Sequence, residues 1–154
     1  MDAPKAFYVF ILAGLTDILD GTAARIFHQR SKLGSMLDPA ADKLLMASAY
    51  ILLGLPSLKM TNLLPLWLVI IVVARDFLIA LTALILNRFR GIKQFRPSLL
   101  GKLTTVCQVL LIAVVLFCNI LQTTPPFLLW LYLITFGLTF ASGIGYALRW
   151  LQGR

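Results

Sequence analysis

The chain has 154 residues, 60% of them hydrophobic and 13% charged, with a mean hydropathy of +0.90. Soluble domains carry nearer to about 25% charged residues, so the composition excludes an ordinary water-soluble domain and predicts an integral membrane protein, organised as one domain over residues 1–154. Fourteen Lys and Arg stand against six Asp, a net charge of +8; in a chain this apolar the excess fits positive-inside loops and anionic lipid head groups, and nucleic-acid binding is excluded.

The first apolar run covers residues 3–19, short of the ~20 residues a helix needs to cross a bilayer. It has no charged segment leading to a cleavage site and does not read as a signal peptide. Asp17 and Asp20 stand at its end, with Gly21, Ala24 and Arg25 directly after. A polar link containing Arg25, His28, Arg30 and Lys32 follows, in which His28 reads as an interfacial residue. Gly34 opens a second helix that carries Asp38 and Asp42 and continues to Leu55. Pro39 is expected close enough to its start to be tolerated, and Gly54 and Pro56 end it.

The third run, residues 63–86, is interrupted only by Arg75-Asp76. Adjacent opposite charges in mid-span neutralise each other or pair with neighbouring helices; the alternative is function, the default for an intramembrane ionisable residue. The most basic loop comes next, with Arg88, Arg90, Lys93, Arg96 and Lys102. It reads both as a positive-inside loop and as the mouth of a site for phosphorylated substrates. A fourth helix is expected over residues 98–120, Pro125-Pro126 break the chain, and the fifth runs over Phe127–Leu151. Gly137, Ala141 and Gly145 recur on it at four-residue intervals, a stripe that permits close packing against another helix of the chain or a second copy; a homodimer is the expected assembly. Cys107 and Cys118 have neither metal-ligand spacing nor a disulfide framework around them and read as inert packing residues.

Loop charges set the orientation. The links after helices one, three and five carry almost all the Lys and Arg, whereas those after two and four carry only Lys59. Both halves of the Asp17–Asp42 stretch fall on the basic side, which places it toward the cytosol or the inner-leaflet interface.

That stretch holds four of the six acidic residues. A charged side chain at membrane depth costs at least ~2.5–3.5 kcal/mol, so four carboxylates there call for a cation. Asp17 and Asp20 stand at i and i+3, and Asp38 and Asp42 at i and i+4, so each pair shares one helical face. Two such helices side by side converge four carboxylates on a point suited to hard divalent cations of the Mg²⁺ type, which keep positions for water and substrate phosphate. The leading reading is a di-metal centre acting on a phosphate ester. Small residues at 21, 24 and 34 leave room for a ligand beside the backbone or pack helices closely, and Arg25 suits a phosphate clamp.

The complete pattern, Asp17-x2-Asp20-Gly21-x2-Ala24-Arg25-x8-Gly34-x3-Asp38-x3-Asp42, resembles the signature of the CDP-alcohol phosphatidyltransferases at every fixed position. The resemblance implies an all-α, polytopic membrane helix bundle. It implies that Asp17, Asp20 and Asp38 are ligands of two Mg²⁺ or Mn²⁺ ions, with Asp42 sharing the site and acting as general base. It further implies that Gly21, Ala24, Arg25 and Gly34 line the cytidine diphosphate pocket, and that the donor is CDP-diacylglycerol. The sequences around Arg75-Asp76 and Arg96-Pro97 to Gly101-Lys102 look like the branches that use glycerol 3-phosphate or phosphatidylglycerol as acceptor, leaning to the latter. Arg75, Arg96 and Lys102 are the expected contacts to acceptor phosphate. The site is expected to face the cytoplasm from a multi-pass chain, in bacteria the inner membrane. Members of the family typically have six transmembrane helices after an amphipathic segment. This sequence offers five, beginning about where the family's second helix begins, so a misplaced start, a fragment or a second protein supplying that surface is expected. Two other readings are a non-catalytic membrane protein that binds or carries divalent cations and an inactive, truncated relative.

Overall fold

A computed structural model describes the backbone of residues 3–26, 34–56, 60–90 and 99–151, and the side chains of 3–16, 19, 43–56, 60–82 and 99–148. Among the described residues five helices follow in chain order: α1 (Ala3–Ile26), α2 (Gly34–Gly54), α3 (Leu66–Arg90), α4 (Leu99–Ile120) and α5 (Phe127–Leu151). No strand occurs among the described residues, so the all-α expectation holds. Two stretches, Leu99–Ile120 and Phe127–Leu148, are long and apolar enough to cross a membrane.

The boundaries depart from the hydrophobic pattern where polar residues continue a helix. α1 does not stop with the apolar run at residue 19 but carries the motif through Arg25 to Ile26. The run marks where apolar side chains end, whereas the backbone ladder needs only residues that tolerate helix, and Gly21 alone among them is a poor former. α3 starts at Leu66 rather than 63 because Pro65 acts as its cap: the Pro65 carbonyl accepts from the Leu68 and Val69 N–H groups at 2.9 and 3.2 Å. At its other end Arg88 and Arg90, expected in the basic loop, close α3, where cations complement the helix dipole. Pro39 is the sixth residue of α2, counting from Gly34. It therefore lies beyond the first four orphan donors and withholds the N–H that the Ser35 carbonyl would otherwise receive.

The chain divides into two compact units, Met1–Leu63 with Ile112–Thr124, and Leu64–Leu111 with Pro125–Arg154. In the first, Tyr50 and Leu53 of α2 and Ile112, Val115 and Leu116 of α4 are buried, and the Phe7 ring of α1 lies 6.2 Å from that of Phe117. Between α1, α2 and α4 remains an apolar cavity of about 330 Å³, lined by Ala6, Phe10, Ala13, Ala49, Leu53 and Ile112 among others. The end of α4 folds back on itself. Thr123 N–H reaches the Cys118 carbonyl and Gln122 N–H the Asn119 carbonyl, and Gln122 has φ 52°. This is the Schellman arrangement, which requires a left-handed residue at that position.

In the second unit Leu68 and Val72 of α3 are buried, as is Leu111. Trp67 and Phe136 meet edge to face at 5.5 Å, and further along both helices Arg75 meets Ser142, so α3 and α5 run in the same direction. α4 runs against α5: Thr104 Oγ1 donates to the Leu138 carbonyl at 3.1 Å, and Cys107 Sγ lies 3.4 Å from Thr135 Oγ1. Thr104, Gln108, Thr135 and Thr139 are fully buried along this seam. Polar side chains between apolar helices act as glue where lipid offers no alternative partner. Cys118 is buried and Cys107 half-buried, both as free cysteines.

Candidate functional site

The eight motif positions are carried by two consecutive helices of the first unit. Asp17, Asp20, Gly21, Ala24 and Arg25 have helical backbone in α1, and Gly34, Asp38 and Asp42 in α2. A regular helix places residues three or four apart on one face, so the backbone keeps both acidic pairs in the register that their spacing implies. The side chains of all eight, and Arg96 entirely, lie outside the described residues. Among the described residues no three metal-ligating side chains cluster; the four aspartates are not in that set. The donor set itself fits hard divalent cations: four carboxylates supply oxygen ligands only, as Mg²⁺ and Mn²⁺ prefer.

The cavity of the first unit is a different kind of space. Its lining is hydrocarbon apart from Lys5 and Ser48, so it can accommodate apolar groups.

Arg75 and Lys102 belong to the second unit. Lys102 is exposed in the first turn of α4. Arg75 is 7% exposed in the middle of α3, and its guanidinium is engaged on several sides. Nη1 donates to Asp76 Oδ1 and Nη2 to Ser142 Oγ, both at 2.5 Å. The Tyr146 ring centroid lies 5.8 Å from its Cζ, within cation–π range. Nε is buried with no hydrogen-bond partner among the described residues. The Arg75-Asp76 pair thus combines mutual neutralisation with a partner on a neighbouring helix.

Ser142 and Tyr146 were not foreseen. The signal was present in the sequence of α5 as polar or hydroxyl-bearing residues at 135, 139, 142 and 146, three or four apart on an otherwise apolar helix. The stripe of Gly137, Ala141 and Gly145 lies on another side of the helix. A Cβ built on Gly137 or Gly145 meets nothing within 4 Å, and Ala141 is exposed while Thr135, Thr139 and Ser142 are buried.

The sequence matches the CDP-alcohol phosphatidyltransferase family over residues 3–141. The chain belongs to this family. It is 41% identical over 100 residues to a cardiolipin synthase (CMP-forming) of Streptomyces coelicolor, covering 65% of this chain and 44% of that protein. It is 35% identical over 125 residues to the human protein of the same name, covering 70% and 40%. The CDP-diacylglycerol–glycerol-3-phosphate 3-phosphatidyltransferase of Bacillus subtilis is 35% identical over 112 residues, covering 73% and 54%. The chain thus spans about two fifths to one half of the length of these curated relatives. Its two long apolar helices, together with relatives named for phospholipid synthesis, mark it as a membrane protein.

Proposed function

We propose that this chain transfers a phosphatidyl group from CDP-diacylglycerol to a glycerol-containing acceptor, glycerol 3-phosphate or phosphatidylglycerol, with release of CMP. The observation that carries the reading is the complete eight-position motif on α1 and α2, inside a chain that the family covers from residue 3 to 141. Relatives named cardiolipin synthase favour phosphatidylglycerol as acceptor. The same coverage, which runs across both compact units, supports treating residues 1–154 as one functional domain.

Consecutive helices close in sequence run antiparallel, and only seven residues separate the end of α1 from the start of α2. Asp17 and Asp20 near the end of α1 and Asp38 and Asp42 near the start of α2 then lie at the same end of the pair. In that arrangement the four carboxylates would hold one or two divalent cations, which when bound neutralise the diphosphate and the charge left on the departing CMP. Gly21, Ala24 and Gly34 leave room for the cytidine diphosphate against the backbone, and the Arg25 guanidinium holds a phosphate oxygen. Asp42 accepts the proton from the acceptor hydroxyl as its oxygen attacks the phosphorus bearing diacylglycerol. Arg75 offers an N–H donor, and Arg96 and Lys102 positive charge, to the acceptor phosphate.

All five helices cross the membrane, with the basic ends of α1 and α3 and the motif on the cytoplasmic side, in bacteria the inner membrane. The chain works as a homodimer; what supports this is the open space over Gly137 and Gly145 on the side of α5 away from its buried hydroxyls.

The test is an acceptor screen with purified protein, labelled CDP-diacylglycerol and Mg²⁺ or Mn²⁺. CMP release that depends on glycerol 3-phosphate or phosphatidylglycerol is expected. No release with either acceptor rejects the reading.

A further inference from the structure

Arg75, one of the candidates for binding the acceptor phosphate, is buried and engages a second helix, α5. Its side chain is not held by α3 alone. Neighbouring side chains on a helix do not ordinarily face each other, yet Arg75 and Asp76 are in contact through Nη1 and Oδ1. The remaining contacts come from α5: the Ser142 hydroxyl on Nη2, and the Tyr146 ring one turn further along, stacked near the guanidinium. Ser142 is 1% exposed.

α5 is itself a fixed reference. Thr104 of α4 donates to the Leu138 carbonyl, Gln108 Nε2 donates to Thr139 Oγ1 at 3.4 Å, and Trp67 of α3 abuts Phe136. Ser142 and Tyr146 stand on the same helix, within two turns of these contacts. A guanidinium has five donors in a fixed fork. With Nη1 committed to Asp76 and Nη2 to Ser142, the orientation of the Nε–H is determined, and this buried donor has no acceptor among the described residues. A buried donor without a partner is costly and calls for an explanation.

The geometry points to Ser142 and Tyr146 as positioning residues that orient Arg75 so that its Nε–H meets a phosphate oxygen of the acceptor, which makes α5 part of the acceptor-selecting machinery. This rests on the reading of Arg75 as an acceptor contact. The ligand chemistry is a glycerol-linked phosphate, whether from soluble glycerol 3-phosphate or from the head group of phosphatidylglycerol. Serine fits this task because its hydroxyl accepts from Nη2 without adding a second negative charge to the one that Asp76 already brings. The tyrosine ring supplies attraction without competing for an N–H.

The experiment uses the full chain in detergent micelles and compares wild type with Ser142→Ala, Ser142→Thr and Tyr146→Leu. CMP release is titrated separately with glycerol 3-phosphate and with phosphatidylglycerol at saturating CDP-diacylglycerol, and then with CDP-diacylglycerol at saturating acceptor. Loss of one charge-assisted hydrogen bond is expected to raise the KM of the acceptor that is used by roughly tenfold in Ser142→Ala. The KM for CDP-diacylglycerol stays unchanged, and Ser142→Thr, which keeps the hydroxyl, restores the acceptor KM. Which acceptor responds distinguishes the soluble from the lipid source. Donor and acceptor KM rising together with a fall in Tm would reduce Ser142 to a packing residue and overturn the inference, as would no change in either. If wild type releases no CMP with any acceptor, the proposed reaction falls and equilibrium binding of the two acceptors decides the inference separately. Binding weakened in Ser142→Ala and recovered in Ser142→Thr upholds it; no binding by wild type, or equal binding by all variants, overturns it.

Discussion

Asn62 and Asn119 hold each other by two reciprocal hydrogen bonds. The Asn62 backbone N–H donates to Asn119 Oδ1 at 2.7 Å, and Asn119 Nδ2 donates to the Asn62 carbonyl at 2.9 Å. Both residues are buried, and Asn62 Nδ2 adds a bond to the Thr123 carbonyl at 2.7 Å. One side chain of α4 thereby satisfies both backbone groups of a residue in the irregular segment ahead of α3, where no helix ladder can do so.

Asn119→Ala should therefore cost more than Asn62→Ala. The first strands a buried N–H and a buried carbonyl at ~1–3 kcal/mol each, for a total of about 3 kcal/mol. The second removes only the bond to Thr123, worth ~1 kcal/mol. Equilibrium unfolding in mixed micelles measures both. Equal losses would show that the reciprocal pair is not what secures this segment.

Gln122 closes the end of α4 with φ 52°. An L-residue pays ~1–2 kcal/mol in that region, and glycine avoids it at the expense of ~0.5–1 kcal/mol of additional chain entropy. Gln122→Gly is expected to stabilise the protein by about 0.5 kcal/mol, and Gln122→Ala to bring no gain. A thermal scan in detergent reads the difference; a lower Tm for the glycine variant would argue against the left-handed cap.

The buried Arg75–Asp76 pair predicts an asymmetric mutational response. Asp76→Leu removes the neutralising charge from a guanidinium that is 7% exposed, and breaking one side of a buried pair costs about 3–5 kcal/mol. Replacing both, Arg75→Met with Asp76→Leu, removes two charges from a buried site and should cost distinctly less. A double variant no more stable than Asp76→Leu would mean that the pair is not the main electrostatic feature of α3.

How much of this could be read from residues alone differs between elements and contacts. All five helices were visible as apolar runs, because each must bury or expose a hydrocarbon surface along its length. Their ends were less visible: the motif half of α1, and Arg88 and Arg90 of α3, continue as helix without the apolar side chains by which the runs were recognised. The spacing of Asp17, Asp20, Asp38 and Asp42 could be read because it is local to one helix at a time. Ser142 could not be assigned to Arg75, which is 67 residues away in sequence, because a tertiary pair leaves no local period. The inward polar face of α5 was nevertheless legible as a pattern of residues at 135, 139, 142 and 146, and its pairing with Thr104, Cys107 and Gln108 followed only from the packing.

Asp42 is proposed to act as proton acceptor beside the cations, two roles that kinetics can separate. If the four aspartates hold divalent cations, a chelator in excess should abolish CMP release, and Mg²⁺ or Mn²⁺ should restore it. Asp42→Asn keeps the size and polarity of the side chain but removes the proton acceptor, and loss of a positioned base lowers kcat by roughly 10²–10⁴-fold. Added cation should not recover that loss, since the missing function is proton acceptance and not charge compensation alone. Asp17→Asn should differ, with activity returning in part at higher cation concentration, because a ligand lost from a carboxylate set weakens affinity first. Kinetics of CMP release at several cation concentrations separate the two behaviours. Wild-type activity in Asp42→Asn would remove Asp42 as the base, and recovery of both variants at high cation would assign it to cation binding only.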